Sequence, residues 1–227
     1  MKTKKLSKRL SACLDALFPL KRIADIGTDH AYLPCHGIAT TKLDSAIAID
    51  VIDGPLMQAR ATIKDYGLQE QIEVRKGSGL EPLVIGEVEG VVIAGMGGKL
   101  IAQLLLDSLE VAKSMKKLVL QPQSGESTLR RTLFDNNFSI IGEELLEEDG
   151  IIYTIITAQL GKQDFDELDI RFGPMLRMNQ TCPHFIAKWQ RELIAVDDVL
   201  NKIPVGHSKR SEFEEKKRLI KGVVGHV

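Results

Sequence analysis

The stretch KRIADIGTDHAYLP at positions 21–34 indicates a parallel strand that passes directly into a helix. The apolar run 23–26 carries Asp25 near its end, and Gly27 follows at once. A polar turn of sequence TDH then leads into an apolar helix start. The first turn of a helix has free N–H groups and lies at the positive end of the helix dipole, so this junction predicts a ligand site.

Strand-like and helix-like segments alternate on both sides of this junction. An amphipathic helix comes first and ends near Phe18-Pro19. Strands are predicted at 23–26, 46–50, 72–76, 90–94 and 117–120, and helices at 31–41, 53–66, 99–107 and 126–136. Asp53 is expected to cap the helix at 53–66, and Gly67 to end it. Such alternation predicts a parallel sheet covered on both faces, with right-handed crossovers.

The alternation of strand-like and helix-like segments stops after position 136. Two strand-like runs, 138–146 and 151–160, flank an acidic segment that ends in Asp149-Gly150, which is typical of a hairpin. The expected fold is therefore α/β, a Rossmann-like parallel sheet with a terminal antiparallel hairpin. The expected first domain is residues 1–161.

No strand is predicted beyond about Lys162. Two amphipathic stretches, 183–203 and 208–222, are separated by Pro204-Val205-Gly206. They predict a helical hairpin, similar to a coiled coil, in a second domain at residues 162–227.

The charge of the chain is unevenly distributed, although the 227 residues carry a formal net charge of only −1. One basic cluster comprises Lys2, Lys4, Lys5, Lys8 and Arg9, and another comprises Lys209, Arg210, Lys216, Lys217, Arg218 and Lys221. Acidic residues concentrate between the two clusters. This pattern suits a polyanionic partner, or it reflects solvated helix faces.

Cysteine usage and hydropathy limit the class of protein. The three cysteines are far apart and form no CxxC motif, which favours a reducing compartment over disulfides or a zinc site. The sequence has no signal peptide and no apolar run of membrane-spanning length. We therefore expect a cytoplasmic protein without a metal centre or a membrane anchor.

Small and polar residues gather where the predicted strands end, which is where ligands bind to open α/β sheets. Asp50 ends the second strand, 25 positions after Asp25, where a carboxylate is placed to accept the hydroxyls of a ribose. The other strand ends supply Gly27, Thr28, Asp29, His30, Gly77, Ser78, Gly79, Gly95, Met96, Gly97, Gly98, Gln121 and Pro122.

Asp29 decides which nucleotide this edge of the sheet can hold. It stands where a dinucleotide-binding turn needs its second glycine, and a carboxylate there repels a pyrophosphate. This disfavours NAD and FAD and favours a nucleoside that lacks phosphates and carries positive charge. Asp29 could instead cap the following helix, and His30 could be a structural histidine. The glycines at 95–98 could simply form a tight turn.

The amino-acid sequences of these motifs resemble those of one family. An acid-x-Gly turn, an acid after the second strand and a final hairpin are similar to class I S-adenosylmethionine-dependent methyltransferases. Nearly the whole chain resembles the bacterial tRNA (adenine(22)-N(1))-methyltransferase family. The resemblance is carried by LSKRL, ADIGTDHAYLP, AIDVIDGPLMQA, GSGL, GMGG and LQP.

The resemblance implies a role for each matching segment. The cofactor would be S-adenosylmethionine, with its methionine part held by residues 25–30, its ribose by Asp50 and its adenine by Val51 and residues 77–79. Arg9 and Leu10 would close over it, and Gly95 would border it. Met96, Gly97, Gly98, Gln121 and Pro122 would form the substrate side. Ser78 departs from the acid or amide expected at its position, because its hydroxyl accepts a hydrogen bond without formal charge.

The implied reaction is transfer of a methyl group to N1 of adenine in tRNA. N1 already has an in-plane lone pair, so alignment and electrostatics would matter more than a strong base. Asp29 is the candidate for stabilising the cationic product, with His30 assisting. Three alternatives stay open: a methyltransferase for another RNA or a small molecule, an NAD-dependent oxidoreductase, and a non-catalytic RNA-binding protein. A monomer or weak dimer is expected.

Overall fold

Seven strands and ten helices make up residues 5–224, the part of the chain that the computed structural model describes. The strands are β1 (Arg22–Ile26), β2 (Ser45–Asp50), β3 (Ile72–Lys76), β4 (Gly90–Met96), β5 (Lys117–Pro122), β6 (Phe138–Glu148) and β7 (Ile151–Leu160). The helices are α1 (Lys8–Ala16), α2 (Tyr32–Ala39), α3 (Asp53–Tyr66), α4 (Gly98–Asp107), α5 (Leu109–Ser114), α6 (Glu126–Asp135), α7 (Glu167–Phe172), α8 (Pro174–Arg177), α9 (Pro183–Lys202) and α10 (Arg210–Val224).

The strands form one sheet in the order β3-β2-β1-β4-β5-β7-β6. The first five strands pair in parallel, whereas β7 runs antiparallel to both β5 and β6. The strand order reverses between β1 and β4, and ligands bind beyond the carboxyl ends of strands at such a reversal. The predicted Rossmann-like sheet with a terminal hairpin is therefore confirmed.

Apolar residues of the central strands supply a core on each face of the sheet. Along β1, Ala24 and Ile26 belong to one core, whereas Ile23 belongs to the other. In β4, Val91 and Val92 divide in the same way. Because both faces are covered by helices, these strands are apolar along most of their length and do not alternate with polar residues.

The bounds of the longer elements agree with the sequence, but one predicted helix cap is wrong. Gly67 ends α3 with φ +69°. Asp53 does not cap this helix: Ile52 holds the capping position, and Asp53 is the first helical residue. The Asp50 carboxylate accepts the N–H of Ile52 at 3.1 Å, which keeps the chain extended up to Ile52. Asp53 instead pairs with Lys76 at 2.7 Å.

Three helices were not predicted, and all three are short. α5 and α7 have six residues each, and α8 has four. A helix of fewer than two turns shows too little apolar periodicity to be recognised in a sequence. In α7 a local signal does exist, because Asp166 and Asp169 form a capping box at its start.

The last two helices form the predicted helical hairpin. α9 and α10 pack on each other, and α9 also packs on β6, around a third apolar cluster that includes Trp189, Val196 and Ile220. Arg210 joins the two helices, since its guanidinium donates to the carbonyls of Leu200 and Ile203 at 3.0 and 2.7 Å.

The segment between β7 and α9 packs against the sheet domain. Phe165 stacks on Phe134 with ring centroids 4.3 Å apart, and Ile170 belongs to one of the sheet's two cores. The Gln163 side chain accepts the N–H of Ile140 at 2.7 Å. A domain division after Gly161 stays a prediction, and these contacts favour a boundary nearer to residue 180.

Within residues 5–224 no helix is long and apolar enough to cross a membrane. The same part of the chain holds no group of three or more His, Cys, Asp or Glu residues that could bind a metal ion. Cys13 and Cys35 are buried, and burial raises the pKa of both thiols to about 12. Both thiols are therefore protonated at neutral pH.

Candidate active site

A cavity of about 370 Å³ opens where β1, β2 and β4 end. Its size lies in the usual range for small-molecule sites. The residues that line it are Arg9, Leu10, Asp25, Gly27, Thr28, Asp29, His30, Tyr32, Leu33, Asp50, Ala94, Gly95, Met96 and Gln123. The strand ends that the sequence selected thus meet in one place, and we call this space the cofactor cavity.

The turn between β1 and α2 bends sharply back over the end of β2. The N–H groups of Gly27 and Thr28 both donate to the Ile49 carbonyl, at 2.8 and 3.0 Å. Gly27 has φ +69°, and a Cβ added there would lie 2.2 Å from the Met96 methyl carbon. Glycine is therefore favoured at this position by the backbone angle, whereas the flexible end of Met96 could move aside for a larger residue.

Asp29 and Ala31 also adopt left-handed backbone angles, with φ +52° and +54°. Ala31 is the capping residue of α2, and no side chain caps the helix. The alternative that Asp29 caps α2 is therefore wrong. The physical reason is its position, because Asp29 lies two residues before the capping residue and no side chain accepts an N–H of the first turn. Asp29 lines the cofactor cavity instead, with 68% of its side chain exposed.

Asp25 is the buried carboxylate of the cofactor cavity. Its Oδ2 accepts the Thr28 hydroxyl at 2.7 Å. Burial raises the pKa of Asp25 to about 6; the Thr28 hydrogen bond opposes the shift, and the charges of Asp50 and Asp29 add to it. Such a group favours a cationic ligand, because a positive charge nearby restores the ionised form.

Asp50 ends β2 and links the two strand ends. One carboxylate oxygen accepts the N–H of Ile52 at 3.1 Å, and the other accepts the N–H of Asp29 at 3.4 Å. Each oxygen keeps a further lone pair, so the carboxylate can still accept the two hydroxyls of a ribose. Val51 follows with 53% of its surface exposed, and its apolar side chain is available to a planar ring.

Residues 77–79 lie beside the cofactor cavity and do not line it. Gly77 donates its N–H to the Asp50 carbonyl at 3.1 Å, which fixes the end of β3 next to that of β2. Gly79 has φ +54° and faces Leu104. The predicted adenine contacts of Gly77, Ser78 and Gly79 remain predictions.

Arg9 reaches over the cavity from α1. Its Nη1 donates to Gln121 Oε1 at 2.6 Å, and its guanidinium lies 5.5 Å from the centre of the Tyr153 ring. The same Gln121 oxygen accepts the N–H of Gly95 at 3.1 Å. Gln121 is fully buried and therefore holds Arg9 and the Gly95 turn in place.

The predicted substrate residues divide into two groups. Met96 lines the cavity, whereas Gly97, Gly98, Gln121 and Pro122 do not. A Cβ on Gly98 would lie 2.3 Å from the carbonyl oxygen of Gly125, so this glycine is needed for packing against a loop. The glycine-rich turn thus combines a cavity wall with a tight backbone contact.

His30 stands at the mouth of the cavity beside Asp29. Its Nε2 lies 3.6 Å from Asp29 Oδ1, and its ring stacks on Tyr32 with centroids 5.1 Å apart. Four further residues line the cavity without having been predicted from the sequence: Tyr32, Leu33, Ala94 and Gln123. Gln123 had a usable signal, since it follows Gln121 by two positions at the end of the same strand.

The sheet order and the acidic cavity define a class I methyltransferase fold, and known structures share it. Ribosomal protein L11 methylase from Lactobacillus delbrueckii subsp. bulgaricus superposes with a TM-score of 0.54 at 17% identity, covering 67% of this chain and 76% of the other. That likeness concerns the fold alone.

The family follows from closer matches. The family model for tRNA (adenine(22)-N(1))-methyltransferase matches residues 23–224. The Bacillus subtilis enzyme of that name is 34% identical over 98% of both chains. Its crystal structure has a TM-score of 0.90 at 32% identity, covering 97% of this chain and 99% of the other. The chain belongs to the tRNA (adenine(22)-N(1))-methyltransferase family.

Two similar structures hold the cofactor or its product. Sp1610 of Streptococcus pneumoniae, in complex with S-adenosyl-L-methionine, has a TM-score of 0.88 at 35% identity and covers 97% and 100% of the two chains. TrmK of Mycoplasma capricolum, with S-adenosyl-homocysteine, has a TM-score of 0.89 at 26% identity, covering 98% and 99%. The family is S-adenosylmethionine-dependent, and the carboxylates of the cofactor cavity fit that cationic nucleoside. An NAD-dependent oxidoreductase is thereby excluded.

Proposed function

We propose that the chain transfers a methyl group from S-adenosylmethionine to N1 of adenine 22 in tRNA, within the cofactor cavity. The observation that carries this proposal is the convergence of Asp25, Asp29 and Asp50 on one cavity at the strand reversal. Three carboxylates without a phosphate-binding turn suit a nucleoside that carries a positive charge.

Each side of the cavity has its own task. Asp50 accepts the ribose hydroxyls, and Val51 covers the adenine ring. Asp25 and Thr28 provide negative charge and a hydroxyl next to the amino-acid part, while Arg9 and Leu10 close the cavity above. When bound, S-adenosylmethionine supplies an activated methyl group on its sulfonium.

The remaining groups orient the target adenine. Because N1 attacks with its own lone pair, no side chain has to remove a proton first. The ring becomes positively charged as the new N–CH₃ bond forms, and Asp29 stabilises that charge with help from His30. Gln123, whose amide borders the cavity, is placed to accept a hydrogen of the adenine amino group.

The target adenine has to leave its partner before it can react, because N1 lies on the pairing edge. The two basic clusters are proposed to hold the RNA backbone around it. Lys2 and Lys4 lie outside the described residues. In the C-terminal cluster four cations already have acidic partners: Arg210, Lys216, Lys217 and Arg218 pair with Glu214, Glu192, Asp197 and Glu215. We further propose a cytoplasmic enzyme that is a monomer or weak dimer.

The proposal is tested with labelled S-adenosylmethionine and an unmodified tRNA transcript, followed by mapping of the methylated nucleoside. Replacing Asp29→Ala should lower turnover at least about tenfold, which is about 1.4 kcal/mol of transition-state stabilisation. Cofactor affinity, measured separately by calorimetry, should change much less.

The matched control is Asp44→Asn, a carboxylate with an exposed side chain at the opposite end of the sheet. It should methylate at the wild-type rate. Wild-type turnover by the Asp29→Ala variant would remove Asp29 from the mechanism, and methylation at another nucleotide would overturn the assignment of adenine 22.

A further inference from the structure

A second cavity of about 460 Å³ lies beside the cofactor cavity, between the loop that precedes α6 and the C-terminal helices. The two cavities share one wall residue, Gln123. Whatever occupies the second cavity is therefore next to the proposed position of the target adenine. We call this space the junction cavity.

Most of the charge around the junction cavity is already neutralised. Lys188 pairs with Glu126 and donates to the Thr154 hydroxyl at 2.8 Å. Lys216 pairs with Glu192 on the facing helix. These lysines are held by their acids, and they are not the cations that would first meet an anionic ligand.

Arg171 is the exception among the cations that line this cavity. Its side chain makes no hydrogen bond and no ion pair within residues 5–224. The hydrogen bond from Arg218 lowers the pKa of Glu215, and the charge of Arg171 adds to that shift. Its backbone carbonyl accepts a hydrogen bond from Arg130 at 3.3 Å, which fixes the base of the side chain. A half-buried guanidinium without a partner can still bind an anion with two parallel hydrogen bonds.

Trp189 also lines the junction cavity, and it carries a buried donor without a partner in the described part of the chain. The residue is 8% exposed, and its indole N–H has no hydrogen-bond partner within the described part of the chain. Phe172 holds the ring edge-on, with centroids 4.5 Å apart. Leaving a buried donor unpaired is costly, so the N–H needs an acceptor that the chain itself does not provide.

The first turn of α6 also borders the junction cavity. This helix of ten residues begins at Glu126, after Gly125 has turned the chain with φ +75°. Gly125 and Ser127 both line the cavity. The free N–H groups at the start of α6 add to the donors of Arg171 and Trp189. A ligand with several acceptor lone pairs can bind all of these donors together.

We propose that the junction cavity binds a phosphodiester group of the RNA strand next to the target adenine, through Arg171 and the indole N–H of Trp189. This inference rests on the proposed function. A phosphodiester has two non-bridging oxygens that share one negative charge, and it is never far from a base of the same strand. The shared wall at Gln123 thus lets one nucleotide reach both cavities.

Trp189 is the sole tryptophan of the chain, so its fluorescence reports on the junction cavity directly. The full chain, saturated with S-adenosyl-homocysteine, is titrated with unmodified tRNA and, separately, with adenosine. We expect tRNA to change the emission and adenosine to leave it unchanged. If filter binding shows that the complex forms but the Trp189 emission does not change on addition of tRNA, the proposal is overturned.

Arg171→Ala tests the charge. It should raise the Kd for tRNA about tenfold and reduce the slope of log K against log salt by about 0.7–0.9, the contribution of one phosphate contact. Arg171→Lys should restore most of the slope. Trp189→Phe, which removes the N–H and keeps a ring, should weaken binding without changing the slope.

Arg22→Ala is the matched control, because this exposed arginine lies at the opposite end of β1. It should bind tRNA with the wild-type affinity and slope, and all variants should bind S-adenosyl-homocysteine alike. Wild-type affinity and slope in Arg171→Ala would refute the phosphodiester site while leaving the proposed function intact. Absence of methylation by the wild-type chain would instead refute the proposed function.

Discussion

Asp25 favours the binding of a cationic ligand but lowers the stability of the folded chain. Its carboxylate lies at the end of a buried strand, and burial raises its pKa from 3.8 to about 6. The folded chain therefore binds a proton at this site more tightly than the unfolded chain does. As the pH rises through that interval, the folded state loses stability, because the charge has to be kept in a poorly solvated place.

Replacing Asp25→Asn should therefore stabilise the cofactor-free protein at neutral pH. A shift from 3.8 to about 6 corresponds to an upper limit of about 3 kcal/mol at neutral pH, and the gain should vanish below about pH 4. The same change should weaken S-adenosylmethionine binding about tenfold, since it removes a negative charge that faces the cation.

Urea unfolding at several pH values and calorimetry with the cofactor measure the two effects. Asp44→Asn serves as the control and should change neither. A variant at Asp25 that is less stable than wild type at pH 7.5, with unchanged urea dependence, would contradict this account of the site.

At the scale of elements, one buried ion pair connects α6, β6 and the helices that follow β7. Arg130 donates to Glu143 at 2.7 Å, and the two side chains are 2% and 0% exposed. Arg130 also donates to the carbonyl of Ile170, and Glu143 accepts the N–H of Met175 at 3.1 Å. Burial raises the pKa of Glu143, and the charge of Arg130 opposes that shift.

Replacing Arg130→Met should destabilise the fold by about 3–5 kcal/mol, because it leaves the Glu143 carboxylate buried without a partner. The double variant Arg130→Met/Glu143→Leu should recover much of the loss, since no charge is then left behind. Thermal and urea unfolding measure both changes.

The neighbouring Arg131 offers a matched control. It pairs with Glu167 at 2.5 Å on the surface, with 44% of its side chain exposed, so Arg131→Met should leave the unfolding midpoint unchanged. Equal losses at the two arginines would show that burial of the pair is unimportant.

At the scale of the whole molecule, the sheet domain and the helical hairpin meet at the junction cavity. The third apolar cluster joins Leu145 of β6 and Phe172 of α7 to the last two helices. The hairpin therefore forms one wall of the proposed RNA site while it stands apart from the cofactor cavity.

A chain that ends at residue 181 should accordingly bind S-adenosylmethionine but lose most of its affinity for tRNA. A chain that ends at residue 161 should be much less stable, because it also loses Ile170 and the carbonyls that Arg130 contacts. Melting temperatures and calorimetry of the two shortened chains measure the difference. Equal stability of the two would restore the domain division after Gly161.

Much of the architecture could be predicted from local patterns. The apolar runs located every strand, and Asp149-Gly150 located the hairpin, because strand period and turn chemistry depend on neighbouring residues. The strand-end rule then selected Asp25, Asp29 and Asp50, which line the same cavity. Short helices and the capping residue of α3 escaped prediction because one or two turns are decided by a few competing hydrogen bonds.

The sequence by itself determined the order of strands and helices along the chain, the acidic residues at the strand ends and the family. Only the tertiary structure decided that Gln121 is buried beneath Arg9, 112 positions away, while Gln123 reaches the cavity. It also decided that Arg130 finds Glu143 and that Arg171 and Trp189 face one space. The physical reason is that these contacts join segments far apart in the chain, and packing fixes them without leaving a local pattern in the residues.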